Sequence, residues 1–359
     1  MSSSIELIAK IIESLWAQVL EGNSKFTFLN LTNTDIIKEI VDNLVKSHPL
    51  EAKTYSFDLV DNEVTPPFYP YLQLIKTNIS DSTSTDIDSF LEDSQVYYFQ
   101  REVFSKYLKG LPTSRYEEVL LDELDYEFYE FNNSIFKMLV KISHNMPLIV
   151  LVNNFQFAKT STLKLTKFII ERFENSKILF IFTLNKNFNY LSEEKNHKWH
   201  DFLDYIDSKQ LLLDFSVEQT PIMQATIKAY KPKTEEELKK LIASSKDCFY
   251  FLNLPESKEY ILAAYNSKMQ DSITLSEEAY IDMLNLLGDV HTFLGELDNG
   301  LIYYNTLLSH GQNRKNLKLI SNVLRKMGFI YLNKDDVDTA DKLSPSRSEE
   351  HTSELQSRL

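Results

Sequence analysis

The sequence has 359 residues, of which 43% are hydrophobic and 25% are charged, a length and composition typical of two or three globular domains. Its net charge of −14 disfavours binding to nucleic acid and to anionic membranes, and no segment has the density of Lys and Arg that would offset it. Because Cys248 is the single cysteine, an internal disulfide and a cysteine-ligated metal centre are excluded, and we expect a cytoplasmic protein.

The first half of the chain alternates helical periodicity with short β-type runs. A proline-rich turn at residues 66–70 and a polar loop at residues 80–89 interrupt this pattern. The predicted elements are a helix over residues 5–19, a strand at 25–31, a helix that opens near Thr34, a strand at 54–60, and helices over 90–111 and 117–146.

Two continuous apolar runs follow, LIVLV at residues 148–152 and ILFIFTL at residues 178–184. Both are far too short to span a membrane, but they are typical of central strands in a parallel sheet. Helices are predicted near residues 161–174 and 197–207, followed by a strand at 211–217. This alternation predicts an α/β domain whose parallel sheet is covered on both faces.

From residue 218 onward the periodicity is helical up to about residue 343. Thr234 and Glu237 have the spacing of a capping box, which predicts the start of a helix there. We therefore expect an α/β domain over residues 1–217, a helical lid or linker over 218–270, and an all-α repeat region over 271–345.

The order of these elements, with the segments MPLIVLVNNFQFAKTSTLKL and KILFIFTLNKN, resembles the STAND branch of AAA-like P-loop ATPases over roughly residues 1–265. The resemblance implies a phosphate loop after the first strand, a pair of acids after the central strand and a polar sensor after the next strand. In this sequence the equivalent positions are Thr32, Asn33, Thr34 and Asp35 for the loop, Asn153 and Asn154 for the acids, and Asn185 for the sensor.

Each of these positions departs from the residues that ATP hydrolysis needs. The loop segment has no glycine and the chain has no Gly-Lys dipeptide, although a phosphate loop requires close backbone approach and a lysine. Asn153 and Asn154 are neutral amides, which supply neither charge to a Mg²⁺ shell nor a base for water. We therefore predict a pseudo-ATPase with no catalytic residues and no bound cofactor.

A second resemblance, to tetratricopeptide repeats, covers LNLLGDVHTFLGELDNGLIYYNTLL and VLRKMGFIYLNKDDVDTADKL. Gly288 and Gly328 are 40 residues apart, longer than the usual repeat of about 34 residues. The resemblance implies a repeat surface that binds a protein or peptide, and oligomerisation is compatible with it; a plain helical bundle is the alternative. The residues expected to pack between repeat helices are Gly288, Gly300, Tyr304, Gly328, Tyr331 and Ala340.

The C-terminal stretch over residues 346–359 contains RSEEHTSELQS, which resembles a translated sequencing adapter rather than natural protein. A natural polar tail is the alternative. If the tail is foreign, we expect the natural chain to continue into an output domain, such as a nucleotide cyclase of the diguanylate cyclase kind, a kinase or a DNA-binding helix-turn-helix. That expectation rests on analogy with bacterial signalling proteins of this architecture.

Three hypotheses for function therefore stand. The first is a regulatory or scaffold module of a bacterial signalling protein, the second a switch that binds ATP or ADP without hydrolysis, and the third a purely structural interaction protein. Two smaller candidates are disfavoured. His197 and His200, with Asp201 and Asp204, have helical metal-ligand spacing but fit a hydrophilic helix end better, and Cys248 lies in an apolar segment that favours a buried thiol.

Overall fold

The computed structural model describes residues 2–31, 34–47, 52–61, 64–81, 86–114, 123–173, 176–190, 192–215, 231–270 and 273–343. The chain forms two compact units. The first unit comprises Met1–Tyr230 and Tyr250–Asn253, and the second comprises Lys231–Phe249 and Leu254–Leu359. The boundaries expected at residues 217, 270 and 345 stay predictions, and the adapter-like tail lies outside the described residues.

The first unit is built on a parallel five-stranded sheet with the order β2-β3-β4-β1-β5. The two continuous apolar runs of the sequence form adjacent central strands, and every residue of both strands is buried. The strands are β1 (Lys25–Asn30), β2 (Lys53–Asp58), β3 (Leu148–Asn153), β4 (Ile178–Leu184) and β5 (Leu212–Asp214).

The described part of the first unit has eight α-helices. They are α1 (Ser2–Leu20), α2 (Asp35–Ser47), α3 (Tyr71–Ser80), α4 (Ile87–Asp93), α5 (Arg101–Leu108), α6 (Leu124–Asn145), α7 (Thr160–Ile170) and α8 (Glu193–Ser208).

The two faces of the sheet bury separate cores because successive side chains of a strand point to opposite sides. On one face, α1 and α2 pack against Ile149, Leu151, Leu179 and Ile181. On the other face, α3 and α6 to α8 pack against Val150, Val152, Phe180 and Phe182. The predicted fold class, a parallel α/β sheet followed by an all-α region, is confirmed.

Cross-strand aromatic pairs join β1 to β4 on the second face. Phe26 lies opposite Phe180 and Phe28 opposite Phe182 in the parallel register. Their ring centroids are 5.1 Å and 4.5 Å apart, with nearly parallel planes. Pairs of this kind contribute about 0.5–1.5 kcal/mol each beyond the area that they bury. They hold together the two strands whose ends frame the candidate site.

The single helix predicted over residues 90–111 is wrong. Ser94 ends α4, and Gln95 has a positive φ of 54°. A 3₁₀ turn at Tyr98–Gln100 then leads into α5. The break depends on long-range contacts, since the backbone N–H of Tyr97 donates to the hydroxyl of Ser134 on α6.

The second unit consists of helices joined by short turns. Four successive helices begin 20 residues apart, at Glu277, Leu297, Leu317 and Val337, and the first three are each 17 residues long. Its helices within the described residues are α9 (Glu235–Tyr250), α10 (Leu254–Gln270), α11 (Glu277–Phe293), α12 (Leu297–Asn313), α13 (Leu317–Asn333) and α14 (Val337–Leu343). The N-cap bond predicted for α9 forms, since the N–H of Glu237 donates to the hydroxyl of Thr234 at 3.2 Å. The Glu237 carboxylate accepts at 2.7 Å from the N–H of Lys233, one residue before the donor of a regular capping box.

The three turns from α11 to α14 share one backbone conformation. Their central residues, Gly295, Lys315 and Asp335, have φ values of 75°, 54° and 59°. In each turn the following N–H donates at 2.9 Å to the carbonyl five residues earlier, which is the Schellman pattern that ends a helix. Identical turns at a 20-residue spacing give consecutive helical hairpins with a 40-residue period.

Small residues 12 positions apart lie where paired helices cross. Gly288 on α11 faces Gly300 on α12, where an added Cβ at Gly300 would come within 3.3 Å of the Gly288 carbonyl oxygen. Gly328 on α13 pairs with Ala340 on α14 in the same way, with 3.7 Å between an added Cβ and the Ala340 oxygen. Tyr304 is buried against Gly288, whereas Tyr331 is half-buried.

A third such pair occurs earlier in the chain. Ser245 on α9 and Ser257 on α10 are also 12 residues apart, and both are buried. Each hydroxyl donates to the other residue's backbone carbonyl at 2.8 Å. The small side chains allow close helix contact, and the paired hydrogen bonds satisfy their buried hydroxyls.

The two equivalent glycines provide a matched test of this packing. An added Cβ at Gly288 would come within 2.3–2.6 Å of the Tyr304 ring, which is itself buried, whereas the same change at Gly328 meets only ordinary contact. We predict that Gly288→Ala lowers the free energy of unfolding by about 2–3 kcal/mol through overpacking. Gly328→Ala should raise it by up to about 1 kcal/mol through helix propensity. Urea unfolding of the two variants measures both effects, and equal stabilities would contradict this packing.

Candidate functional site

Sheet topology locates the most favourable ligand position in the first unit. The connection after β1 runs through α2 on one face, whereas the connection after β4 runs through α8 on the opposite face. Since β1 and β4 are adjacent, their carboxyl ends form a topological switch point, where parallel α/β sheets bind ligands. The residues at that edge are the candidate site.

Asn153 ends β3 at this edge and is only 7% exposed. Its amide nitrogen donates to the carboxylate of Asp58 at the end of β2, with 2.7 Å between the two atoms. Its amide oxygen accepts from the buried hydroxyl of Thr183 on β4 at 3.3 Å. Both ends of the amide are therefore used to connect three neighbouring strands.

Asn154 follows with a left-handed backbone, at φ 58° and ψ 45°. Asparagine tolerates this conformation better than most residues, because its short polar side chain interacts locally. Its N–H donates to the Thr183 hydroxyl at 3.2 Å. The turn redirects the chain into a 3₁₀ turn at Phe155–Phe157, which buries Phe155 against Phe28 and Phe182.

Asn185 lies just beyond β4 and closes its own turn. Its side-chain oxygen accepts from the N–H of Asn187 at 2.9 Å, and its backbone N–H donates to the amide oxygen of buried Gln156 at 3.2 Å. The Tyr190 hydroxyl donates to the carbonyl of Gln156. Gln156 therefore joins the segment after β3 to the segment after β4.

Asn30 completes the edge at the end of β1 and is buried. Its amide nitrogen donates to Asp214 on β5 at 2.9 Å, and its oxygen accepts from the N–H of Lys186 at 3.0 Å. The ammonium of Lys186 pairs with the same Asp214 carboxylate. We refer to Asn30, Asn153, Asn154, Gln156, Thr183 and Asn185 as the amide edge.

The structure brings together three of the sequence-predicted positions, Asn153, Asn154 and Asn185, through Thr183 and Gln156. Asp35 begins α2 after β1, and Thr34 precedes it as a half-buried residue. Thr32 and Asn33 lie outside the described residues. Sequence reasoning missed Asn30 and Gln156, although each lies at or just after the end of a predicted strand.

The chemistry of the amide edge is that of neutral donors and acceptors. Amides neither carry charge nor act as bases, so Asn153, Asn154 and Asn185 supply no general base and no anionic metal ligand. The carboxylates in contact with the edge, Asp58 and Asp214, accept hydrogen bonds from Asn153 and Asn30. The arrangement is suited to holding five strands in register.

Other candidate chemistry is sparse in the part of the chain that the structure describes. No group of three or more His, Cys, Asp or Glu side chains there could hold a metal ion. The Nε2 atom of His197 lies 3.5 Å from the Asp201 carboxylate at the surface, and Cys248 is buried in α9. None of the described helices is long and apolar enough to cross a membrane.

Two polar clusters connect helices of the second unit. In the first cluster, the Lys326 ammonium on α13 donates to both oxygens of Asp289 on α11, at 2.6 Å and 2.8 Å. The Tyr304 hydroxyl on α12 donates to the same carboxylate at 2.5 Å. Burial and this nearby carboxylate raise the pKa of Tyr304 well above its usual value, so the hydroxyl remains a donor. One carboxylate thus joins three helices.

The second cluster is centred on Glu296, in the turn before α12. Lys258 on α10 donates to its two oxygens at 2.6 Å and 2.8 Å, and the Nδ1 atom of His291 lies 2.6 Å from one of them. Burial alone would raise the pKa of Glu296, but these hydrogen bonds outweigh it and hold that pKa below its usual value. The cluster connects α10 to the hairpin of α11 and α12.

No protein-family model matches the sequence, and no curated protein matches it. Among solved structures, the chain is similar to a chain in the structure of Drosophila ORC bound to AT-rich DNA and Cdc6, with a TM-score of 0.25, 11% identity, and coverage of 80% of this chain and 84% of that one. A chain in the structure of Drosophila ORC bound to GC-rich DNA and Cdc6 gives a TM-score of 0.26 and 11% identity, with coverage of 80% and 86%.

The contact between Asn153 and Asp58 yields a prediction. Asn153→Asp would place a second carboxylate 2.7 Å from that of Asp58, in a partly buried position. Repulsion between like charges raises the pKa of the introduced carboxyl in the folded state. The destabilising effect is therefore present near pH 7, and it disappears as the pH falls below about 4, the pKa of this carboxyl in the unfolded chain. We expect a loss of about 1–3 kcal/mol in the free energy of unfolding at pH 7.

Chemical denaturation at pH 7 and pH 4 tests this prediction, with Asn154→Asp as the control. Asn154 carries the same change of side chain one residue away, and its half-buried position leaves more contact with water. The control should change stability by less than about 0.5 kcal/mol. A pH-independent loss for Asn153→Asp would contradict the expected repulsion from Asp58.

Proposed function

We propose that this chain is a regulatory or scaffold module of a signal-transduction protein, in which a pseudo-ATPase unit is coupled to protein-binding helical repeats. Hydrolysis of ATP is not part of this function. The observation that carries the proposal is the environment of Asn153, whose amide is committed to Asp58 on one side and Thr183 on the other.

The chemistry of P-loop ATPases is the reason why Asn153 supports the proposal that ATP is not hydrolysed. An ATPase of the family that the sequence resembles needs a carboxylate at the end of its central strand, to hold the Mg²⁺ shell. Here that strand, β3, ends in an amide whose nitrogen serves as a hydrogen-bond donor. A carboxylate has no such donor, so the neighbouring Asp58 favours the neutral side chain over the charged one.

The second unit supports a role in partner binding. Two hairpins, α11 with α12 and α13 with α14, are offset by 40 residues, and Lys326 of the second hairpin donates to Asp289 of the first. Repeated helical hairpins build extended surfaces on which proteins and peptides bind. The assignment to tetratricopeptide-like repeats is part of the proposal, as is the bacterial signalling context.

An attached output domain also remains a proposal. In such a protein the helical repeats would pass on a conformational change, and the catalytic or DNA-binding step would reside in another domain. A cyclase, a kinase or a helix-turn-helix would each serve this purpose.

The test of the pseudo-ATPase unit is phosphate release from Mg-ATP by the purified chain. We expect no turnover above the buffer blank, either for the natural sequence or for the double variant Asn153→Asp, Asn154→Asp, because the loop after β1 lacks the glycines and lysine that bind phosphates. The single variant Asn154→Asp is included because it should fold like the natural sequence. Phosphate release above the blank by the natural sequence or by either variant, if it is retained after a further purification step, would overturn the proposal.

A further inference from the structure

The first unit carries an exposed group of aromatic rings that its core does not use. Tyr98 is 73% exposed, Tyr126 54% and Phe99 41%. Their rings are contiguous through half-buried Tyr97, whose centroid lies 5.4 Å from that of Phe99 and 6.1 Å from that of Tyr126. Tyr98 in turn lies 5.6 Å from Phe99. We refer to Tyr97, Tyr98, Phe99 and Tyr126 as the aromatic face.

A buried hydrogen-bond network fixes the aromatic face in place. Gln100, at the end of the 3₁₀ turn that carries Tyr98 and Phe99, is fully buried against α6. Its amide nitrogen donates to the backbone carbonyl of Glu127 at 3.0 Å, and its oxygen accepts from Ser134 at 3.1 Å. The rings are therefore presented on a preorganised turn, which reduces the entropy that binding would cost.

The surroundings of the aromatic face are acidic. The first three turns of α6 carry exposed Asp125 and half-buried Glu130, and the first basic residue of the helix is Lys137. Glu127, between them, is buried and accepts from the Gln100 amide at 3.2 Å. Burial, the adjacent Tyr126 and the carboxylates of Glu127 and Glu130 together raise the pKa of Tyr97. A cationic ligand is favoured in this field, and a phosphate backbone is repelled.

Arginines of the same unit already lie over aromatic rings nearby. The guanidinium carbon of Arg172 is 3.9 Å from the ring centroid of Phe168 and 5.8 Å from that of Tyr129, one turn beyond Tyr126 on α6. Arg101 lies 6.0 Å from the ring centroid of Tyr98 and pairs with Glu92 at 3.8 Å. In this part of the chain, aromatic rings therefore already bind guanidinium groups, and a nearby carboxylate pairs with one of them.

We propose that the aromatic face is a docking site for an arginine-rich peptide segment of a partner protein, whose guanidinium groups lie on Tyr98, Phe99 and Tyr126 and pair with the carboxylates of Asp125 and Glu130 on α6. The aromatic face shares no residue with the amide edge or with the helical repeats. It gives the first unit a binding role of its own.

The probe for this site is a fluorescein-labelled peptide of four Arg-Gly repeats, titrated with the full chain and followed by fluorescence anisotropy. The double variant Tyr98→Ala, Tyr126→Ala removes two exposed rings without changing the charge of the protein. We expect it to bind the peptide about tenfold more weakly, since each exposed cation–π contact accounts for a factor of about two to five. Asp125→Asn with Glu130→Gln should also weaken binding.

Two controls separate the rings from general attraction by an acidic protein. Tyr98→Phe with Tyr126→Phe retains the rings, and Leu317→Ala with Leu332→Ala removes exposed apolar side chains from the second unit instead. Both controls should bind the peptide within about twofold of the natural sequence. Equal affinity of the Tyr→Ala variant and these controls would overturn the proposal, as would the absence of peptide binding. The proposal would also be overturned if the natural sequence bound a labelled oligothymidylate and the Tyr→Ala variant did not, because the rings would then stack on the bases of single-stranded nucleic acid.

Discussion

Burial of β3 and β4 on both faces is the constraint on which the first unit depends. Every residue of these strands is buried, so their polar groups can emerge only at the strand ends. At the carboxyl ends this produces the amide edge, in which Thr183 donates to Asn153 and the backbone N–H of Asn185 donates to Gln156. An ATPase would use the same edge for charged residues that are left free for ligand. Here the hydrogen-bonding capacity of Asn153 connects β2, β3 and β4 instead.

The second unit follows a different rule, in which small side chains determine where helices cross. Gly288 with Gly300, Gly328 with Ala340, and Ser245 with Ser257 each bring two helices together. Charged clusters around Asp289 and Glu296 then connect the hairpins to one another. This division of roles resembles that of repeat proteins, whose stability arises mainly within repeats and between neighbours.

The sequence predicted the elements that depend on local pattern and missed those that depend on distant partners. The central strands are long continuous apolar runs, which identifies them without further information. By contrast, Asp58 is 95 residues from Asn153, so their hydrogen bond has no local signal. The break after α4 depends on contacts with α6, which are distant in the sequence. The hairpin of α9 and α10 was not predicted, because it has serines where the hairpins that follow it have glycines. The repeat-packing and degenerate-site assignments stay predictions until the variants are measured.

Nucleotide binding at equilibrium tests the central claim most directly, because it separates a pseudo-ATPase scaffold from a switch that retains ATP or ADP. Isothermal titration calorimetry of the full chain with ATP and with ADP, each with and without Mg²⁺, provides the measurement. If the hydrogen-bonding groups of the amide edge bind one another, we expect no saturable heat up to about 1 mM nucleotide. A Kd of about 1 mM corresponds to a binding free energy of only about 4 kcal/mol. Saturable binding that Asn153→Ala weakens would contradict the account and establish a nucleotide-binding switch at this edge of the sheet.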